Sequence, residues 1–292
     1  MSIFTIVNGF IWSKIYNAKL IFELRDIWPL RIIEEAGFSK HNPFIMMLSA
    51  LEKWGYNISD LIVGTMPNLK QHVSEVTKKD DLKVICVPFG VPRNSSNQFF
   101  RSDYPIKSGN SNLVIGYAGT VGLTNALETL FRSLEKIDLV FEKIECHIVG
   151  DGPLLSVFKR KYGHIKNLYF SGKIEKQDIA KILASFDLLY FSTFNSTAWN
   201  YGQSLNKLID YMLAGKPILG SYSGFPSMIN EAQCGWLIEA ENPDVLSAKI
   251  LEISSIPKNE LATMGSRGRE WILKNRDYAT LASYLKKNIL SL

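Results

Sequence analysis

The chain has 292 residues, of which 46% are hydrophobic and 12% aromatic, and its formal net charge is +5 at pH 7. This composition excludes a disordered or fibrous chain and supplies enough apolar surface for two globular domains. The 33 basic residues are scattered among 28 acidic ones without a long basic run. The charge therefore does not favour nucleic acid, and it is compatible with a small anionic ligand or an acidic membrane surface.

Residues 1–19 (MSIFTIVNGFIWSKIYNAK) are apolar, but they have no basic start, and an Asn-Gly pair at positions 8–9 interrupts the run. The sequence contains no run of about eighteen apolar residues. Cys86, Cys146 and Cys234 are far apart and lack a C-x-x-C spacing. That spacing gives no cysteine metal site and is typical of a reducing compartment. These features predict a cytoplasmic protein.

Residues 1–92 predict a short α/β region with the strands LIFEL, LIVGT and VICVPFG, and with a helix around residues 44–54. The following segment, 92–112 (PRNSSNQFFRSDYPIKSGNSN), is rich in Ser, Asn and Pro, which is typical of a linker. We therefore expect a domain boundary near residue 105. The first domain would cover residues 1–105 and the second residues 106–292.

From Leu113 onwards the sequence predicts alternating strands and helices. The expected order is LVIGYAG, a helix over 126–136, CHIV, a helix, LYFSG, a helix over 176–184, DLLYFS, a helix from Ser204, PILGSY, a helix over 226–232, GWLI and helical residues from 243 to the end. Repeated βα units with apolar strands are typical of a parallel, doubly wound sheet. The predicted fold class is therefore α/β, with two Rossmann-like domains of which the first is incomplete.

Three strands of the second half end in glycine turns: YAGTVG, VGDGP and FSGKI. Doubly wound sheets bind ligands outside the carboxyl ends of their strands, where glycine lets a phosphate or a base approach the backbone. The candidate substrate-binding residues in these turns are Gly119, Thr120, Gly122, Gly150, Gly152, Lys173 and Ile174. Taken singly, each turn is also explained by a purely steric need for glycine.

A fourth turn leads into a helix in YGQSLNKLIDYMLAGKP (201–217). Ser204 is a good N-cap residue, and Gly215 followed by Lys-Pro predicts the end of the helix. Lys207 lies one turn inside the amino terminus, where a cation adds to the helix dipole as a site for an anion. Asp210 could accept hydrogen bonds from ribose hydroxyls. The alternative is an exposed Lys207–Asp210 pair that only stabilises the helix.

Several longer motifs occur together and in order: IGYAGTVG, CHIVGDGPLL, LYFSGKIEKQDIAKILASFDLLYFS and YGQSLNKLIDYMLAGKPIL. They resemble the carboxyl domain of retaining nucleotide-sugar glycosyltransferases of the GT-B type, family four. LIFELRDIWP and KVICVPFGV look like the last part of that family's amino domain. The chain is most similar to the bacterial group that adds amino-deoxy sugars, such as N-acetylfucosamine, to lipid-linked precursors of surface polysaccharides.

The resemblance implies a transferase that moves a sugar from a UDP-type donor to a lipid-linked saccharide with retention, in lipopolysaccharide or capsule synthesis. Such an enzyme would have no cofactor or metal and would work in the cytoplasm, in contact with the inner membrane. By position, Ser204, the first-turn residues Leu205 and Asn206, and Lys207 would hold the diphosphate, and Asp210 the ribose. Gly202 stands where the family has a glutamate that touches the donor sugar.

The resemblance also implies that Arg25 and Asp26 are catalytic, because they stand where relatives have a His-Asp pair facing the reacting sugar. The alternative is that they pair with each other and fix the turn before Trp28-Pro29. His41, His72, His147 and His164 are not clustered and are expected in the core or on the surface.

The family's amino domain has about twice as many strands as residues 1–92 predict, so the chain would be a truncated product or the half of an enzyme completed by another chain. Self-association through the first domain or poor solubility would follow from an unpaired sheet edge. The last helix could cross back to that domain. The competing functions are a non-catalytic module that binds a nucleotide sugar and an epimerase on the same fold.

Overall fold

The computed structural model of the chain describes residues 3–92, 113–138 and 143–292. They form two compact units. The first unit comprises Met1–Gly90, Ser196–Ser204 and Tyr278–Leu292, and the second comprises Val91–Asn195 and Leu205–Asp277. The boundary predicted near residue 105 falls in 93–112, outside the described residues, so the domain limits stay a prediction.

The first unit starts with a helix that the sequence pattern did not predict. Its elements up to residue 86 are α1 (Thr5–Ile15), β1 (Ile21–Leu24), α2 (Leu30–Ala36), α3 (Pro43–Ile58), β2 (Leu61–Gly64), α4 (Leu69–Thr77) and β3 (Val84–Cys86). The three strands are those expected from LIFEL, LIVGT and VICVPFG. They form a parallel sheet in the order β1-β2-β3.

Both faces of this sheet are covered by helices. On one face, Phe22, Leu24 and Ile62 belong to a buried cluster with Leu48 and Tyr56 of α3. On the other, Leu61, Val63 and Ile85 pack with side chains of the carboxyl-terminal residues, among them those at positions 285 and 292. This covering of both faces is why all four residues of β2 are buried.

The second unit contains the longer βα series. Its elements are β4 (Leu113–Ala118), α5 (Glu128–Leu134), β5 (Ile144–Val149), α6 (Leu155–Tyr162), β6 (Leu168–Gly172), α7 (Ile179–Ser185), β7 (Leu188–Ser192), α8 (Asn206–Leu213), β8 (Ile218–Ser221), α9 (Met228–Ala232), β9 (Gly235–Ile238), α10 (Pro243–Ser254) and α11 (Lys258–Asn275). A last helix, α12 (Tyr278–Ile289), belongs to the first unit.

All strands of the second unit are parallel, in the order β6-β5-β4-β7-β8-β9. This is the doubly wound order in which the chain reverses direction across the sheet between β4 and β7. The prediction of a doubly wound parallel sheet is therefore confirmed. β5 and β7 are buried along their whole length. β7 is apolar or aromatic apart from Ser192, whereas β5 also buries Glu145 and His147, which lie beside each other. Ligands of such sheets bind at the carboxyl ends of the strands beside the reversal.

Within residues 3–92, 113–138 and 143–292, no helix combines the length and the hydrophobicity that crossing a bilayer requires.

Candidate functional site

A cavity of about 390 Å³ lies at the carboxyl ends of β4, β5 and β6 in the second unit. Its walls come from the turns after these strands and from α7 and α8. It is lined by Ala118, Gly119, Thr120, Val149, Gly150, Asp151, Lys173, Ile174, Ile179, Leu183, Lys207, Asp210 and Tyr211. We call it the switch-point cavity, since it lies beside the reversal between β4 and β7. Its volume suits a nucleotide-sized ligand.

The glycine turns after β4 and β5 touch each other through their backbones. A Cβ atom at Gly150, whose φ is +139°, would lie 1.8 Å from the carbonyl oxygen of Gly119. The amide N–H of Gly119 donates to the carbonyl oxygen of Val149 at 3.0 Å, and the amide N–H of Gly150 donates to the carbonyl oxygen of Gly172 at 2.8 Å. Gly150 is therefore required for the close approach of the two turns, which leaves the floor of the cavity free of side chains at this point.

Lys207 brings a positive charge to this floor. Its Nζ donates to the hydroxyl of Tyr117 at 3.2 Å and to the side-chain oxygen of Asn125, and it lies 4.6 Å from the centroid of the Tyr117 ring. A Cβ at Gly119 would be 3.5 Å from the same Nζ, so the ammonium borders the first glycine turn.

Burial lowers the pKa of Lys207 from 10.5 to about 8. Among the described residues, the groups that receive hydrogen bonds from its ammonium are neutral. The alternative of an exposed Lys207–Asp210 pair is therefore wrong, because Lys207 is part-buried and turned toward Tyr117 and Asn125. A desolvated cation without a carboxylate partner is unfavourable on its own, and a bound anion would supply the missing charge.

Tyr211 fixes the distance between α8 and the end of β4. Its buried hydroxyl accepts a hydrogen bond from the amide of Ala118 at 2.9 Å and donates to the carbonyl of the same residue at 3.2 Å. Burial raises the pKa of Tyr211, so the hydroxyl keeps its proton. The hydroxyl of Tyr117 donates to the carbonyl of Thr120 at 2.7 Å. These two tyrosines hold the turn in place, and neither was among the predicted site residues.

Asp210 lies on the wall of the cavity, one turn beyond Lys207. Desolvation raises the pKa of its carboxyl group, although the positive charge of Lys176 opposes the effect. Asp210 is exposed at the edge of the cavity, and its carboxyl group accepts hydrogen bonds when it is ionised.

Seven of the residues predicted to bind substrate line the switch-point cavity: Gly119, Thr120, Gly150, Lys173, Ile174, Lys207 and Asp210. Gly152 lies behind it, where an added Cβ would be 2.4 Å from the carbonyl oxygen of Val121. Gly122 lines a different cavity of about 390 Å³, the second cavity, together with Leu123 and Phe194.

The start of α8 differs from the prediction. The helix begins at Asn206, and Leu205 occupies the N-cap position without a side-chain cap. The prediction of Ser204 as the N-cap is therefore wrong. Residues 196–204 belong to the first unit and include a 3-10 helix over Thr197–Tyr201, and α8 begins at Asn206 in the second unit. Asn206 is exposed on the first turn.

Gly202 also belongs to the first unit, and its backbone does not admit the glutamate that the motif resemblance implies for this position. Its φ is +101°, and a Cβ at this position would lie 2.4 Å from Cδ of Pro67. A side chain here would collide with the proline ring and strain the backbone. A direct sugar contact from position 202 is thus incompatible with this loop.

The loop around Gly202 is held by carboxylates that sequence reasoning missed. Glu34 accepts hydrogen bonds from the hydroxyls of Ser196 and Thr197 and from the amide of Ala198. The hydroxyl of Tyr201 donates to Glu75. Glu34 precedes Ser196 by 162 positions, so no local pattern could have revealed this contact.

Arg25 and Asp26 follow β1 in the first unit. Arg25 is half exposed, with its Nε 3.5 Å from Glu23 and its guanidinium 5.8 Å from the centroid of the Phe89 ring. Asp26 pairs instead with Arg31. The alternative of a mutual Arg25–Asp26 pair is therefore wrong, and the catalytic role of both residues stays a prediction.

In the described part of the chain, no three His, Cys, Asp or Glu side chains come together as a metal site would require. His72 is buried against Glu52 at 2.8 Å and His147 is buried beside Glu145, whereas the other two histidines are exposed.

Residues 112–255 match the family model described as glycosyl transferases group 1. The match includes every strand of the second unit and the whole switch-point cavity. None of the curated proteins matches the sequence at a significant level.

Several solved structures share the fold of the whole chain. HepE from Anabaena, crystallised with UDP and glucose, is 18% identical with a TM-score of 0.69, over 100% of this chain and 76% of that one. Sucrose-phosphate synthase from Thermosynechococcus elongatus is 14% identical with a TM-score of 0.74, over 98% and 71%. WaaG, a glycosyltransferase involved in lipopolysaccharide biosynthesis, is 14% identical with a TM-score of 0.69, over 96% and 80%. The fold is that of GT-B glycosyltransferases.

Proposed function

We propose that the glycosyl transferases group 1 domain binds a UDP-sugar in the switch-point cavity and that the protein transfers the sugar to an acceptor. The observation that carries this proposal is the part-buried ammonium of Lys207, which is hydrogen-bonded to neutral groups beside two glycine turns. A diphosphate placed there would compensate the desolvation of the lysine and accept a charge-assisted hydrogen bond from its ammonium. HepE, which shares the fold, was crystallised with UDP and glucose.

Each part of the donor has a candidate partner in the cavity. The diphosphate would lie against Gly119, Thr120 and Lys207, and Asp210 would accept hydrogen bonds from the ribose hydroxyls. The backbone around Ile174 would contact the base. As the sugar leaves, negative charge builds up on the diphosphate, and a fixed cation in a desolvated site stabilises that charge. Lys207 would supply this stabilisation, which is why we expect neither a cofactor nor a metal ion.

The finer assignment is a retaining transferase that acts on a lipid-linked saccharide in the synthesis of a cell-surface polysaccharide, at the cytoplasmic face of the inner membrane. Support comes from the motif resemblance to enzymes that transfer amino-deoxy sugars, and from the shared fold with WaaG. In this proposal Arg25 and Asp26 are the catalytic residues, and the first unit binds the acceptor.

A second candidate is a non-catalytic module that binds a nucleotide sugar and works with a partner chain or with a second copy. The observation in its favour is that β1, in the described part of the chain, pairs with β2 alone and leaves one sheet edge open. Hydrolysis or transfer of the donor sugar by the purified chain would support the transferase. Donor binding without any turnover, restored by a partner, would support the module.

The proposal is tested by the unfolding temperature of the protein in the presence of nucleotides. A ligand that binds only the native state raises stability by mass action, so UDP and UDP-N-acetylglucosamine should raise the unfolding temperature. NAD is the control, because it also has one diphosphate but carries adenine in place of uracil and a second nucleoside in place of the sugar. Equal shifts with UDP and NAD, or no shift with either, would contradict the proposal.

A further inference from the structure

Asn125 contacts the ammonium of Lys207 without lining the switch-point cavity itself. It ends a short 3-10 helix, Leu123–Asn125, in the loop after β4, and both residues belong to the second unit. An ammonium has three donors and no acceptor, so the carboxamide faces Lys207 with its oxygen, which accepts a hydrogen bond from Nζ. Any effect of Asn125 on a ligand in the cavity would therefore pass through Lys207.

Backbone groups of Asn125 hold the loop in place. Its carbonyl oxygen accepts a hydrogen bond at 2.7 Å from the hydroxyl of Ser192, which is 3% exposed. Its amide N–H donates to the carbonyl oxygen of Gly122 at 3.2 Å. Every residue except proline can form both of these bonds. The loop is therefore held in the same way whichever side chain stands at position 125, and the carboxamide is left to act on Lys207.

The two groups that accept hydrogen bonds from the ammonium are both neutral, which matters for an anionic ligand. The second is the hydroxyl of Tyr117, at 3.2 Å, and burial raises the pKa of this tyrosine, so the hydroxyl keeps its proton. A carboxylate at position 125 would cancel the charge of the ammonium and repel a diphosphate. A carboxamide fixes the ammonium by a hydrogen bond and leaves its net charge in place.

Besides Tyr117 on β4, other titratable groups face the same cavity. Asp151 follows β5, Lys173 follows β6, and Asp210 and Tyr211 lie on α8, whereas α7 contributes apolar side chains to the lining. Burial, and none of these charges, is what lowers the pKa of Lys207. The pKa should therefore respond to a change in the two acceptors that contact Nζ directly.

We propose that Asn125 is a positioning residue, which fixes the ammonium of Lys207 through a neutral acceptor and so keeps its charge available for the diphosphate of the donor. This role rests on the proposed function. It predicts opposite changes in the proton affinity of Lys207 when the acceptor at position 125 becomes charged or is removed.

Asn125→Asp should raise the pKa of Lys207 by about one unit or more, because a contacting carboxylate favours the charged form. The same substitution should lower the affinity for UDP at pH 7 by about tenfold or more, because the new carboxylate competes with the diphosphate for the ammonium. Asn125→Ala should lower the pKa of Lys207, since the charged form loses an acceptor, and should weaken UDP binding by about fivefold. A more basic lysine that binds the anion more weakly is a result that simple loss of structure does not produce.

The test measures both quantities on the full chain. NMR of the lysine side chains, with Lys207→Met to assign the signal, gives the pKa of Lys207 without ligand. Titration calorimetry from pH 6.5 to 9.5 gives the affinity for UDP, and the pH above which this affinity falls should move up in Asn125→Asp and down in Asn125→Ala. The matched control is Asn259→Asp, which adds the same charge at an exposed position of α11 and should change neither quantity. Cooperative urea unfolding shows that each variant is folded.

An unchanged pKa of Lys207 in both variants would overturn the proposal, and so would an Asn125→Asp protein that binds UDP as tightly as the unchanged one. A chain that does not bind UDP at all would contradict the proposed function instead. In that case, pKa shifts of opposite sign would still support Asn125 as the residue that holds the ammonium, and the absence of any shift would overturn it.

Discussion

Replacing Lys207 with methionine should weaken UDP binding and at the same time stabilise the protein. Methionine has a similar length and no charge, so it keeps most of the packing of the lysine stem. A hydrogen bond to a charged group contributes about 1.5 to 3 kcal/mol, which predicts a loss of UDP affinity of about ten- to one-hundredfold.

The gain in stability follows from the pKa. A fall from 10.5 to about 8 corresponds to about 3 kcal/mol of unfavourable desolvation of the charged form at pH 7. Residual solvent contact and the lost hydrogen bonds to Tyr117 and Asn125 reduce this figure, so we expect a net gain of about 1 to 2 kcal/mol in the free energy of unfolding. The sign is opposite to that of most core substitutions.

Lys216→Met is the matched control. Lys216 is also part-buried in the second unit, and desolvation lowers its pKa, with Asp187 opposing, but it does not line the switch-point cavity. Its replacement should leave UDP affinity unchanged. Titration calorimetry gives the affinities, and urea unfolding without ligand gives the stabilities. Retained UDP affinity in Lys207→Met together with lower stability would refute the reasoning, because it would make Lys207 a structural residue.

The pKa of about 8 for Lys207 predicts that UDP affinity is constant below about pH 8 and decreases above it, because the free protein then loses the proton from this lysine. Titration calorimetry from pH 6.5 to 9.5 measures this, and an affinity that does not change with pH would contradict a contact between Lys207 and UDP. Gly150→Ala should lower the free energy of unfolding, measured with urea, by about 2 to 4 kcal/mol, because the added Cβ would overlap the turn at Gly119. Gly122→Ala is the control: the nearest atom to its added Cβ is 3.5 Å away, so the loss should be under about 1 kcal/mol. Desolvation raises the pKa of Glu34, yet the hydrogen bonds from the loop hold it below its usual value, so this carboxylate stabilises the fold above about pH 4.5 and less as the pH falls. Glu34→Gln should accordingly remove part of the acid dependence of stability, by no more than about 1 kcal/mol for an exposed group, and an unchanged pH profile would contradict the assignment. Asp210→Asn should reduce affinity for UDP about tenfold more than affinity for 2′,3′-dideoxy-UDP, and equal losses would exclude a ribose contact.

The strands of both units could be predicted because buried strands have a recognisable pattern of apolar residues in the sequence. β4 and β7 are nearly continuous apolar runs with turns at both ends, and such runs are typical of parallel strands covered on both faces. The positions after these strands were predictable for the same reason, since the topology of a doubly wound sheet fixes where a ligand site lies. Lys207 stood out because a lysine is an unusual choice for the first turn of a helix.

Other features depend on contacts between distant residues, and local patterns do not report them. Tyr211 forms hydrogen bonds with Ala118, which is 93 positions away in the sequence, and Lys207 donates to Asn125, which is 82 positions away. Helix α1 was missed because it is apolar on both sides and therefore shows no helical alternation of polar and apolar residues. The N-cap at Ser204 was predicted wrongly because the preceding loop packs in the first unit, where Glu34 and Glu75 hold it.

A crystal structure of the protein with UDP tests the central claim most directly. We predict density for the nucleotide in the switch-point cavity, with a phosphate oxygen within hydrogen-bond distance of Nζ of Lys207 and the ribose hydroxyls at Asp210. The second cavity, beside Leu123 and Phe194, has the same volume of about 390 Å³ and serves as an internal control. UDP bound there, or a diphosphate directed away from Lys207, would contradict the account.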